Sequence, residues 1–127
     1  QKRPLSSMTP TIVMKDGALF FTTGSPGGSR IISAVLQSIL NIIDFEMNLE
    51  EATFAKRIHH QWQPDILEIE FSIDAETRNK LESMGYFIQI KEPLTCIQTI
   101  MFDNKKYYGY GDFRRPDAFA SGEINVR

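Results

Sequence analysis

Apolar residues open the chain in two short runs, residues 11–14 and residues 18–22, separated by Lys15-Asp16-Gly17. Runs of that length around an Asp-Gly pair predict two strands joined by a type I′ hairpin turn. Both runs are apolar on both faces, which predicts an inner sheet covered on each side. The pattern then changes period. Ile32, Val35, Leu36, Ile39, Leu40 and Ile43 recur at helical spacing, and Ile31, Ala34 and Ile42 widen the stripe, so residues 31–45 are expected to form a largely buried helix. A second helix is expected over 48–57, with Asn48 and Glu51 placed for a capping box.

Residues 66–70 (Ile-Leu-Glu-Ile-Glu) read as a strand. Asp74 is set to cap a short amphipathic helix with Leu81 and Met84 on one side and Gly85 just past its end. Residues 87–90 are the next strand, and 97–102 with 106–110 form a last hairpin across Asp103-Asn104. Residues 111–127 have no periodicity and are expected to pack as an extended segment. The order ββααβαβββ predicts an α+β layered fold.

A length of 127 residues fits a single domain with a real core. The net charge of −2 gives no electrostatic case for nucleic acid or for an anionic membrane. Cys96 is the only cysteine, so no internal disulfide forms. The apolar run 31–45 is too short to span a bilayer and is interrupted by Ser33, Gln37, Ser38 and Asn41. The first residue is Gln1, and the chain is expected to be a cut or processed piece of a longer protein.

The richest local chemistry lies in Ser25-Pro26-Gly27-Gly28-Ser29-Arg30, between a predicted strand and a predicted helix. A glycine pair there leaves backbone N–H groups unpaired and admits a ligand with no Cβ in the way. Such a loop suits negative charge, either a bound anion or the oxyanion of an acyl-transfer intermediate. It lacks the Gly-Lys-Ser/Thr of a P-loop and the G-x-G-x-x-G of a dinucleotide fold. Local physics leaves an anion site and a plain Pro-Gly turn both open. Ser6-Ser7 is a second candidate, with no His or Asp nearby to activate either hydroxyl. His59-His60 on an extended segment point to opposite faces, so structural histidines beside Trp62 are expected, and no metal site. Glu50-Glu51 and Glu68/Glu70 are expected to be a helix cap and a solvated strand face, and Arg114-Arg115 a surface pair.

Several segments together resemble the C-terminal part of the small subunit of γ-glutamyltranspeptidases. They are Lys2-Arg3-Pro4-Leu5-Ser6-Ser7-Met8-Thr9-Pro10, Gly24-Ser25-Pro26-Gly27-Gly28-Ser29-Arg30-Ile31-Ile32 and Asn41-Ile42-Ile43-Asp44-Phe45. Glu51-Ala52 and Arg57-Ile58-His59-His60-Gln61-Trp62 follow in order, and Gly111-Asp112-Phe113-Arg114-Arg115 is similar to the family's closing Asp-Pro-Arg segment, with Phe113 in place of proline.

The resemblance implies an N-terminal nucleophile hydrolase, a four-layer αββα sandwich made by autoproteolysis of a precursor. A threonine at the new N-terminus of the small subunit attacks the γ-carbonyl of glutathione or another γ-glutamyl compound. The acyl group then passes to an amino acid, a peptide or water, with no metal or organic cofactor. By the same resemblance Ser6 and Ser7 hold the substrate α-carboxylate, and Gly27 and Gly28 supply backbone N–H groups to the oxyanion. The nucleophilic threonine, the residues for the α-amino group and an arginine from the large subunit lie outside this chain. The partners implied are therefore the large subunit and the upstream part of the small subunit, and the compartment implied is the periplasm or the exterior. The alternative is a truncated or degenerate, non-catalytic structural partner of the same fold. Without its partners the fragment is expected either to self-associate, through a swapped or paired sheet edge, or to require the missing segments.

Overall fold

A computed structural model describes residues 8–122. Ten elements follow one another: β1 (Thr11–Lys15), β2 (Ala18–Gly24), α1 (Arg30–Ile43), α2 (Leu49–Phe54), β3 (Ile58–His59), β4 (Leu67–Ile69), α3 (Ala75–Ser83), β5 (Ile88–Ile90), β6 (Gln98–Asp103) and β7 (Lys106–Gly111). The expected order holds except for β3, whose two residues are too few to leave a period in the sequence.

The strands form two sheets, an antiparallel one ordered β1-β2-β6-β7 and a smaller one ordered β3-β4-β5. Asp16 and Gly17 both have positive φ, 51° and 78°, so the first hairpin turns as its sequence predicts. The last hairpin turns one residue later than expected. Asp103 pairs with Lys106, and Asn104 and Lys105 carry the left-handed backbone.

One face of the larger sheet carries Phe21 and Thr23 and is covered by α1 and α2. Phe21, Ile42, Leu49 and Ala52 make one core cluster, and Ile31, Ala34, Val35 and Ile97 another. The other face is open, with Ile12 69% and Ile100 53% exposed. Among the described residues, the expectation of cover on both faces is thus met on one face only. Helix α1 likewise turns Ile32 and Leu36 outward. It ends at Ile43, before the expected Phe45, because Glu46 turns left-handed at φ 52° and the Met47 N–H returns to the Asn41 carbonyl at 2.9 Å.

Helix α2 starts on the predicted capping box: Asn48 Oδ1 accepts from Glu51 N at 2.9 Å, and Glu51 Oε2 accepts from Asn48 N at 3.0 Å. It stops at Phe54, three residues short of Arg57, because Ala55 is extended (ψ 141°). Two guanidinium groups then take its final carbonyls: Arg57 Nη2 donates to Thr53 O at 2.7 Å, and Arg114 Nη2 to Ala55 O at 3.0 Å. From Asp112 to Ala118 the chain runs through two turns, Arg115 N to Asp112 O and Ala118 N to Arg115 O, in place of the expected extended segment.

Candidate active site

The glycine loop joins β2 to α1. Gly27 has φ 133° and Gly28 φ 63°, both left-handed values that favour glycine. At Gly27 space forbids a side chain as well, since a Cβ there would lie 2.7 Å from Thr95 Oγ1. At Gly28 a Cβ would meet nothing within 4 Å, so that side of the loop is open.

Helix α1 has no side-chain cap, because Ser29 already has helical angles. Its first turn closes through Arg30 N to Gly27 O (3.3 Å) and Ile31 N to Gly28 O (3.2 Å). In a trans peptide the N–H points opposite to the carbonyl, so the N–H groups of Gly28 and Ser29 face off the helix N-terminus. Among the described residues, no acceptor meets the N–H of Gly27 or of Gly28. The Gly28 N–H, at the positive end of a 14-residue helix, and the free Gly27 N–H one residue before it are donors that can stabilise an anion or a developing oxyanion.

Two contacts hold the loop in place. Arg30 grips Glu68 of β4 through Nε at 2.5 Å and Nη2 at 2.6 Å. The hydrogen bond from Arg30 keeps the Glu68 carboxyl below its usual range, despite partial burial. On the other side, Thr95 Oγ1 meets Ser25 Oγ at 2.5 Å and donates to the Pro26 carbonyl.

Behind Thr95 lies a buried cluster of two arginines and two acids. Arg57 Nη1 donates to Asp112 Oδ2 at 2.8 Å and to Thr95 O at 3.0 Å. Arg114 grips Glu70 through two bonds of 2.6 and 2.7 Å and reaches Asp112 Oδ1 at 3.2 Å. Glu70 Oε2 also accepts the Arg57 backbone N–H at 3.0 Å, and Asp112 Oδ2 accepts that of Ile97 at 2.8 Å. Burial, and then the charge of Arg114, pushes Arg57 below its ordinary value. Arg114 is also lowered by burial, but its bonds to Glu70 and the charges of Glu70 and Asp112 carry it above its ordinary value.

Two expectations need correction here. Glu70 is 2% exposed, and the Arg114 side chain 6%, so neither belongs to a solvated face. Glu70 turns inward because β4 lies between β3 and β5, and Arg114 because the turn after β7 carries it under the end of α2. The histidines behave as expected: His59 is buried against Ser33 Oγ (Nδ1, 2.7 Å), and His60 faces outward to Asp65 at 2.9 Å. Gln61 donates its amide N–H to Gln63 O and turns its oxygen to His59 Nε2 at 3.1 Å. Among the described residues, no group of three His, Cys, Asp or Glu is arranged to hold a metal. Ser6 and Ser7 lie outside the described residues. The roles of Thr95, Arg57, Glu70 and Asp112 in supporting the loop have no local signal in the sequence.

The fold is that of the N-terminal nucleophile hydrolases. It matches gamma-glutamyltranspeptidase from Helicobacter pylori with a TM-score of 0.84 at 48% identity, over 90% of this chain and 64% of that one. The enzyme from Pseudomonas nitroreducens matches with a TM-score of 0.87 at 33% identity, over 97% of this chain and 66% of that one. The chain belongs to the gamma-glutamyltranspeptidase family, whose sequence profile matches residues 1–122. The glutathione hydrolase proenzyme of Escherichia coli is 48% identical over 122 residues, 95% of this chain and 21% of that protein. The chain thus spans about a fifth of the length of the curated relatives it matches (21% and 23% for two of them). The α+β unit described above is part of the family's αββα sandwich.

Proposed function

We propose that these 127 residues are a single-domain piece, the C-terminal part of the small subunit, of an enzyme that cleaves γ-glutamyl bonds of glutathione-type donors. The acyl group passes through a γ-glutamyl-enzyme to an amino acid, a peptide or water. In this reading Gly27 and Gly28 form the oxyanion hole, Ser6 and Ser7 hold the donor's α-carboxylate, and the nucleophilic threonine comes from the upstream part of the small subunit.

The observation that carries the reading is the pair of unpartnered N–H groups, of Gly27 and Gly28, in a left-handed loop at the N-terminus of α1 that is open beside Gly28. Developing negative charge on the γ-carbonyl oxygen is what such donors stabilise, and they need no reorganisation as the tetrahedral intermediate forms. The hydroxyls packed on the Pro26 carbonyl, those of Ser25 and Thr95, are committed to each other and to that oxygen, and among the described residues no base is bonded to either. They do not serve as the nucleophile.

The partners follow from the surfaces. The open face of the larger sheet, with Ile12 and Ile100, receives the second sheet of the sandwich, contributed by the rest of the protein. The compartment follows the family resemblance, periplasmic or secreted. No helix among the described residues is long and apolar enough to cross a membrane.

Substitution at Gly28 in the complete protein tests the reading. A valine there puts bulk where the acyl group approaches; its Cβ meets no atom within 4 Å, and its cost to the fold is the local backbone strain of a branched side chain at φ 63°. Loss of one oxyanion donor costs about 10²–10³ in turnover. Gly28→Val is therefore expected to lower kcat on γ-glutamyl-p-nitroanilide by about that factor, with maturation intact. Near-normal kcat in a mature Gly28→Val protein would remove the loop from the chemistry.

A further inference from the structure

The Pro26–Gly27 peptide bond is trans, since the cis bonds of the described residues are Gln63–Pro64 and Glu92–Pro93. Its carbonyl points at Thr95 Oγ1, so its N–H, that of Gly27, points away from Thr95. Ser25 Oγ lies 2.7 Å from the same carbonyl and 2.5 Å from Thr95 Oγ1. Two hydroxyl protons serve these three oxygens: one goes to the carbonyl, and the other closes the gap between the hydroxyls. Thr95 is itself fixed, because its own carbonyl accepts from buried Arg57 at 3.0 Å. It also packs so closely on Gly27 that no Cβ fits between them.

We propose that Thr95 is a positioning residue for the oxyanion hole, holding the Pro26–Gly27 peptide plane so that the Gly27 N–H faces the substrate. This rests on the acyl-transfer reading above. Thr95 touches no reacting atom and acts only through the orientation of one donor. The effect falls on kcat, because the oxyanion exists only on the way to and from the tetrahedral intermediate. Ser25 stands in the same triangle and can donate to Pro26 O by itself, so removing the Thr95 hydroxyl alone leaves part of the clamp.

The test is made in the complete protein with γ-glutamyl-p-nitroanilide as donor. Thr95→Val keeps the shape and removes the hydroxyl. It is expected to lower kcat about tenfold with KM within about twofold, which is the scale of one buried hydrogen bond. Thr95→Ser restores the hydroxyl and is expected to return kcat to within about twofold of the unsubstituted protein. Adding Ser25→Ala to Thr95→Val removes the second donor and is expected to lower kcat further than the two single losses combined. A γ-boronate analogue of glutamate, which forms a tetrahedral adduct, should lose affinity in Thr95→Val by the same factor as kcat. Unchanged kcat in Thr95→Val, or a loss that Thr95→Ser does not repair, would overturn the clamp while leaving the acyl-transfer reading in place. An unsubstituted complete protein with no turnover would sink both.

Discussion

Arg57 and Asp112 form a fully buried ion pair, and breaking it gives a sharp quantitative test. Their side chains are 4% and 0% exposed, and the cluster of Arg57, Arg114, Glu70 and Asp112 is neutral as a whole. Arg57→Met leaves a net negative charge in the interior and takes the donor away from Thr95 O. Thr53 O loses its 2.7 Å bond and keeps only a 3.3 Å contact from Arg114. Removal of one partner of a buried pair costs about 3–5 kcal/mol. Asp112→Asn leaves the opposite imbalance, and its amide must face either the donors on Oδ2 or those on Oδ1. A cost of about the same size is expected. The double substitution restores neutrality, with Arg114 and Glu70 still paired, so it should cost less than the sum by about 1–3 kcal/mol. Denaturant midpoints of the complete mature protein measure these costs. Exchange of the Ile97 amide, which Asp112 accepts, reports whether the loss is local. The exposed Lys80–Glu76 pair is the control, and Lys80→Ala should leave the midpoint nearly unmoved. Strict additivity, or a cost for Arg57→Met below about 1 kcal/mol, would refute the cluster as a coupled buried unit.

Two further outcomes are expected. Glu68 has its folded carboxyl lowered by Arg30, so the contribution of that pair is complete above the unfolded carboxyl range and is lost as pH falls through the folded value. Glu68→Gln should therefore lower stability at neutral pH and flatten its decline in acid, and denaturation midpoints from about pH 7 down to about pH 3 would show it. An equally steep acid decline in the variant would place the titrating group elsewhere. Ser6→Ala with Ser7→Ala should reduce kcat/KM on donors bearing an α-carboxylate by about an order of magnitude or more, since bonds to a charged group contribute about 1.5–3 kcal/mol each. Equal losses on a donor without that carboxylate would make the serines structural.

What could be read from the sequence was local. The Asp16-Gly17 turn, the Asn48–Glu51 capping box and the glycine loop each declare themselves within a few residues, and each stands where it was expected. The charged cluster could not be read this way. Glu70 and Arg114 lie 44 positions apart, and a strand written Ile-Leu-Glu-Ile-Glu predicts alternation toward solvent when nothing local shows a guanidinium waiting inside. The short β3 leaves no period, and the end of α2 depends on which carbonyls two distant arginines take. The uncovered sheet face has a different cause. Its apolar residues are patterned for a layer that the described residues do not include.

The division of the site between this chain and the rest of the protein is tested most directly by one paired turnover measurement. The complete protein and the isolated 127-residue chain are assayed side by side on γ-glutamyl-p-nitroanilide, with light scattering for mass. Turnover is expected from the complete protein alone. The isolated chain should be inert and should associate through the faces bearing Ile12, Ile100, Ile32 and Leu36. Turnover from a clean monomer of the isolated chain, or none from the complete protein, would contradict the assignment of half an active site to these residues.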